Sequence, residues 1–211
     1  MYIPDHFRES DPDEIAGLLA AFPLACLVVQ TAEGLVANHI PLRTGPDGAL
    51  IGHIARANDL HRLVPDGHPV LAVFQGEDGY VTPRSYPSKA DHHRHVPTWN
   101  YRVAHLHGTI RFLHDLKARR AAVGLLTQDH ERRVNGDQAW RMADAPADYM
   151  AQMLDAIVAF RIDITRVLAK SKLSQNRAPA DRQGVIADLP AQGNPALAAV
   201  MRRRSAPQTG G

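Results

Sequence analysis

One cysteine in 211 residues leaves no partner for an intrachain disulfide and no paired-cysteine zinc motif. Cys26 lies in the apolar run from Pro23 to Val29 and reads as a small buried hydrophobe, which suits a reducing compartment. No apolar stretch approaches the ~18 residues of a membrane span, and the opening MYIPDHFRES has no basic region followed by an apolar one. The expectation is a soluble, cytoplasmic protein with no membrane partner. Strong charge is lacking too: the net +2 with neutral histidines is too small for the dense basic patch of a dedicated nucleic-acid binder. There is no G-x-G-x-x-G after a strand, no P-loop, no nucleophile elbow and no evident helix-turn-helix.

What the chain does have is 45% hydrophobic and 22% charged residues, enough for one sizeable core. Asp11-Pro12-Asp13-Glu14 starts a helix, with Asp11 as N-cap and Glu14 placed for a capping box. Short β-rich runs follow at 24–30, 35–43 and 49–55, separated by Gly, Asp and Pro turns. Asn58 caps a short helix ended by Pro65-Asp66-Gly67. Further strands read at 69–75, 80–82 and 103–113. In the last, Ala104, Leu106, Gly108, Ile110 and Phe112 share one face, while His105, His107, Thr109 and Arg111 share the other. Two helices come next, from Leu116 to about Arg133 and from Pro146 through the pairs Tyr149/Met150, Met153/Leu154 and Ile157/Val158, then a strand at 160–167. After Arg177 the composition turns to Ala, Pro, Gln and Gly. Residues 1–189 then form one domain, and 190–211 a weakly packed tail with one short helix from Asn194 to Arg204. The fold class expected is α+β, mainly β, as an antiparallel barrel with peripheral helices.

Several clusters offer chemistry. The stretch DHHRHVPTWNYRVAHLHG, 91–108, carries five of the 12 histidines. His105 and His107 project from one strand face at a spacing known from metal sites. Yet no carboxylate or thiol lies among the last four residues to complete a shell, and the alternative is partly exposed histidines paired with polar groups. Gly52–Asn58 ends a strand and starts a helix, where backbone N–H groups and the Arg56 guanidinium suit a phosphate; the plainer alternative is a helix cap beside a solvated arginine. YVTPRSYPSK (80–89) and VPTWNY (96–101) present flat faces beside amides and hydroxyls, as a planar heteroaromatic ligand requires, or as ordinary packing does. KSKLSQNR, 170–177, is a polar and basic run after a strand that offers donors to an anion, or is a solvated strand end.

Taken together, MYIPDHF, NHIPL (38–42), GHIARAN (52–58), FQGEDGYVTPRSYPSK (74–89), VPTWNY, HLHG (105–108) and KLSQNR (172–177) resemble the PaiB-like family of FMN-binding negative transcriptional regulators. The likeness runs from Met1 to about Leu189. It implies the antiparallel split β-barrel of the FMN-binding type, a homodimer with flavin at the interface, and FMN as cofactor. By motif position, Arg56, Asn58 and Lys89 become phosphate candidates. Trp99, Asn100 and Tyr101 belong near the isoalloxazine ring, and Lys172, Ser174, Gln175 and Asn176 close the site. Family members commonly carry Trp within the block here reading Pro83-Arg84-Ser85-Tyr86, and an aromatic where this chain has Ser171; both changes imply weaker flavin stacking or a pocket that holds something larger. DNA enters as a partner through the resemblance alone, with Arg202-Arg203-Arg204 as a candidate phosphate contact or a solvated helix end. The other functions consistent with the chain are a flavin-dependent oxidoreductase or flavin reductase, and a haem- or metal-associated split-barrel protein using His105 and His107.

Overall fold

A computed structural model describes Met1–Ser205, apart from the side chain of Asp129; the end of the expected tail, 206–211, lies outside the described residues. The elements are β1 (Arg8–Glu9), α1 (Pro12–Ala21), β2 (Leu24–Thr31), β3 (Gly34–Pro41), β4 (Arg43–Thr44), β5 (Leu50–Ala55), α2 (Leu60–Leu63), β6 (His68–Val81), α3 (Lys89–His92), β7 (Thr98–Leu113), α4 (Leu116–Asn135), α5 (Ala147–Asp155), β8 (Ile157–Lys172), α6 (Pro179–Asp188) and α7 (Pro195–Arg203), with short 3-10 turns between some of them. The strands hydrogen-bond in the order β3-β2-β6-β7-β8-β5-β4, with β1 on β8, and the sheet is not closed. This is the expected mainly antiparallel, split-barrel architecture.

The chain divides into two compact units. One comprises Leu19–Phe74 and His105–Val167; the other comprises Met1–Leu18, Gln75–Ala104 and the chain from Leu168 onward. We call them the barrel unit and the terminal unit.

In the barrel unit, period-two alternation sends Ala25, Leu27 and Val29 of β2 inward, with Leu50 and Ile54 of β5, Phe74 of β6, Ile110 of β7, and Phe160 and Ile162 of β8. Each large side chain so buried contributes about 1.5–3 kcal/mol. Cys26 belongs to the opposite face of β2 and is only half-buried, so the expectation of a buried thiol is corrected by the strand's alternation. β5 pairs with β8 from Leu50↔Ile162 to Ala55↔Ile157. That pairing makes Ile157 and Val158 the start of a strand, although their spacing continues the pattern of α5. Gly108 of β7 has no room for a side chain: a Cβ there would overlap the Asp163 carbonyl and the Ile162 side chain.

The terminal unit has its own core of Val81, Tyr86, Leu173, Val185, Ile186, Leu189, Leu197, Ala198, Val200 and Met201. Four of these belong to α7, so residues 190–205 are packed, not loose. Leu197, Ala198, Val200 and Met201 of this helix fall on the buried face and Ala196, Ala199, Arg202 and Arg203 on the exposed one, a division that bulk composition conceals. Asp11 caps α1 as expected, accepting from the N–H groups of Asp13 (2.9 Å) and Glu14 (3.4 Å). Glu14 does not close a capping box; its carboxylate accepts from Arg102 and Arg203.

Gly108→Ala should lower the free energy of unfolding by about 1–3 kcal/mol through overpacking. Gly17→Ala, at an open helical position on α1, should raise it by about 0.5–1 kcal/mol; urea midpoints measure both. His53 of β5 is held below its ordinary value of 6.5 by burial, and its Nδ1 is buried without a partner. The unfolded imidazole takes up a proton near 6.5 while the folded one resists it. Stability is therefore complete above that pH and declines as pH falls below it. Urea unfolding at pH 5 and pH 7 should show that decline, and His53→Gln should reduce it.

Candidate functional site

The residues singled out from sequence fall into both units. Arg56 and Asn58 belong to the barrel unit; Lys89, Trp99, Asn100, Tyr101, Lys172, Ser174, Gln175 and Asn176 belong to the terminal unit.

In the barrel unit, β5 ends at Ala55 and the chain turns into α2. Asn58 Oδ1 accepts from the Leu60 N–H (3.0 Å), and its amide donates to Asn38 Oδ1 (2.8 Å). Arg56 Nη2 reaches Asp155 Oδ1 at 2.9 Å, and Arg119 Nη1 of α4 reaches the same oxygen at 3.1 Å. Arg119 is largely buried and also donates to the Leu154 carbonyl at 2.6 Å, while its Nε is buried with no partner. Bonds from Arg119, then the charge of Arg56, hold the Asp155 carboxyl below its usual range. Two guanidinium groups thus converge on one carboxylate oxygen whose side chain is 72% exposed. A phosphate, like that carboxylate, is an anion whose oxygens accept charge-assisted hydrogen bonds from guanidinium groups, so this donor set fits the phosphate end of a flavin nucleotide. Arg119 gave no signal in sequence, because it is one of several cations along a long helix.

In the terminal unit, the two motifs VPTWNY and KLSQNR meet. Asn100, 1% exposed, donates from Nδ2 to Ser174 Oγ at 2.9 Å, and Ser174 donates back to Asn100 Oδ1 at 3.3 Å. Lys172, the last residue of β8, donates to Thr98 Oγ1 and to the Trp99 carbonyl. The run from Lys170 to Lys172 is therefore strand, not the loop expected after it. Burial lowers the Lys172 ammonium below the usual lysine range, with help from the charges of Lys170 and Arg177. The Gln175 side chain closes its own loop, accepting from the Leu173 N–H at 2.6 Å and donating to the Ser171 carbonyl at 2.5 Å. Trp99 is 53% exposed and meets the half-exposed ring of Tyr80 edge to face at 6.2 Å. Tyr101 packs beneath the Lys170 ammonium, and Asn176 is exposed. Lys89 opens α3.

Ser85 and Ser171, which replace aromatics in the related pattern, do not leave gaps. Ser85 Oγ donates to Asp188 (2.5 Å) and Ser171 Oγ to Glu9 (2.9 Å). The His95 side chain, in the stretch where partly exposed histidines were the plainer alternative, is instead buried. Its Nε2 lies 2.8 Å from Ser88 Oγ, which donates to Asp181 Oδ2 at 2.7 Å. The serine sits between histidine and carboxylate, the wrong order for a nucleophile activated by a base. Burial raises the Asp181 carboxyl, but bonds from Ser88 and the charges of His95 and Arg177 prevail and hold it below its ordinary value.

His105 and His107 lie on one face of β7, as the alternation requires. Burial keeps both below the ordinary histidine range, and His107 Nε2 faces Arg166 Nη2 at 3.2 Å. Among the described residues no three His, Cys, Asp or Glu side chains gather as metal ligands. The arginine triplet is also engaged: Arg203 pairs with Glu14 at 3.1 Å and Arg204 with Glu9 at 2.7 Å, which removes two of its three charges from a nucleic-acid contact.

Among proteins of known sequence, the chain is similar to "Protease synthase and sporulation protein PAI 2" of Bacillus subtilis (strain 168), with 28% identity over 198 residues and 92% of each chain covered. Its fold is similar to that of the FAD and heme binding protein from Mycobacterium smegmatis, with a TM-score of 0.58 and 20% identity over 78% of this chain and 73% of that one. It is also similar to that of the flavocytochrome Anf3 from Azotobacter vinelandii, with a TM-score of 0.56 and 15% identity over 81% and 72%. The family described as "Putative FMN-binding domain" matches residues 1–166. With that match, an open antiparallel barrel and motifs in PaiB order, the chain belongs to the FMN-binding, PaiB-like family of split-barrel proteins.

Proposed function

We propose that this chain is an FMN-dependent regulatory protein of the PaiB type, acting as a homodimer, with the flavin phosphate held by Arg56 and Arg119. The observation that carries this reading is the convergence of those two guanidinium groups on Asp155. The Asp155 carboxylate is exposed and able to swing away, so an incoming phosphate takes its place and satisfies both cations at once. Asn58, whose side chain accepts from the Leu60 N–H at the start of α2, holds the turn that carries Arg56.

Within the terminal unit, Trp99, Tyr101 and Asn176 are the candidates for presenting a surface to a flat ring. Trp99 offers an open indole face, and Lys172 orients it through the Trp99 carbonyl. Asn100, Ser174 and Gln175 spend their hydrogen bonds on the protein and act as supports rather than ligand contacts. When bound, FMN supplies reversible electron and hydride chemistry. The family likeness is what favours regulation over turnover. DNA contact, if it accompanies this role, does not use Arg203 or Arg204, which carboxylates already hold.

Flavin-fluorescence titration tests the phosphate anchor. FMN should bind at least tenfold more weakly to Arg56→Gln/Arg119→Gln than to the unaltered protein, as expected for loss of charge-assisted hydrogen bonds worth about 1.5–3 kcal/mol each. Riboflavin, which has no phosphate, should bind both proteins alike. Asp155→Asn, which removes the competing carboxylate, should tighten FMN. Equal FMN affinity in the unaltered protein and the double variant would overturn the assignment.

A further inference from the structure

The barrel unit contains a second recess that the flavin reading does not use. Helix α4 and the segment 136–142 border an open recess of about 770 Å³ whose lining includes Gly124, Arg132, Asp137, Trp140, Arg141 and Met142. That volume lies in the range of small-molecule sites, ~300–1,000 Å³. It shares no lining residue with the hollow beside Arg56, Arg119 and Asp155.

Its walls are fixed by the protein itself. Glu131 of α4 accepts from the Asn135 amide (2.8 Å) and from the Trp140 N–H (3.0 Å), so one carboxylate ties the returning chain to the helix it has just left. Gly136 makes the reversal at φ +54°, a left-handed conformation that favours glycine. Beyond Trp140, the Arg141 N–H donates to Asp144 at 2.7 Å and fixes the far rim. On the helix side, Met142 approaches α4 where Gly124 leaves space.

The lining has a specific chemistry. Arg132 and Arg141 bring two guanidinium groups, and no described carboxylate forms an ion pair with either; every other arginine pair found, from Arg8–Asp5 to Arg204–Glu9, involves different residues. Asp137 is the one acidic lining residue; Glu131 and Asp144, which brace the walls, bond to backbone N–H groups and the Asn135 amide rather than to either guanidinium. Trp140 contributes a partly exposed indole, and Ala139 and Met142 add apolar surface. Unpaired guanidinium groups select a planar anion, and an indole beside them selects a flat ring.

We infer that this cavity is a binding site for a small aromatic carboxylate, its carboxylate between Arg132 and Arg141 and its ring against Trp140. It would give the protein an effector site of its own, separate from the flavin, and the inference stands whether or not the phosphate anchor at Arg56 is correct.

Proton NMR of the Trp140 indole N–H, assigned by comparison with Trp140→Phe, reads this site locally. Benzoate should shift that signal saturably, with a Kd on the order of 0.1–1 mM, and benzamide, its uncharged isostere, should bind at least about tenfold more weakly. Arg132→Gln/Arg141→Gln should lose about tenfold or more in benzoate affinity while keeping a dispersed, folded spectrum, and a benzoate titration after saturation with FMN should give the same Kd. A double variant that bound benzoate normally, benzamide binding equal to benzoate, no saturable shift up to about 10 mM, or displacement of benzoate by FMN would each overturn the assignment.

Discussion

The Arg102 guanidinium is buried in the terminal unit, and everything around it is arranged to answer its charge. Its side chain is 6% exposed and reaches Glu14 of α1 at 2.9 Å and Glu77 of β6 at 3.3 Å. A buried cation left without partners would cost several kcal/mol, so these carboxylates have to be delivered. Glu14 in turn accepts from Arg203 of α7, and Glu9 accepts from Arg204 and Ser171. Burial alone would raise the Glu14 carboxyl; the charges of Arg203, Arg102 and Arg204 hold it below its ordinary value. Residues from both ends of the chain thus meet around one strand residue, and α7 becomes part of the fold.

The candidate ring-binding platform depends on that arrangement. Met201 of α7 receives a weak hydrogen bond from Asn100, which is bonded to Ser174, and Leu173 lies in the same core as Leu197 and Val200. The 98–102 strand and the 171–176 segment are therefore supported from beneath by a helix that the arginine–carboxylate ties hold down. Such a platform is preorganised: its hydrogen bonds are made within the protein, leaving Trp99 and Asn176 outward for a ligand.

Legibility in the sequence followed the range of the interactions. Period two in β7 and the Asp11 cap are local, and each was readable; Asn58 lies one residue before the N-cap of α2, Asp59, and bonds to the Leu60 N–H. Strand β6 was legible only as two fragments, because Gly76, Asp78 and Gly79 look like turn residues; the Arg102–Glu77 pair belongs to its continuous form. Similarly, β8 was cut short at both ends, since Ile157 continues a helical spacing and Lys170–Lys172 look solvated, whereas pairing with β5 and β1 makes them strand. Arg119 and the burial of His95 were invisible because Asp155 and Asp181, which determine their roles, are distant in sequence. Motif order carried the family and the cofactor; motif position alone did not distinguish Trp99, which is exposed, from Asn100, which is sealed.

The central claim is that the platform of residues 98–102 and 171–176 is held by the protein's own buried bonds and not by the flavin. Amide hydrogen exchange on the FMN-free protein tests it most directly. A preorganised platform predicts that the amides of Asn100, Arg102 and Leu173 are already protected, with little further slowing when FMN is added. Exchange of these amides at the rate of an unstructured peptide until FMN is supplied would contradict it.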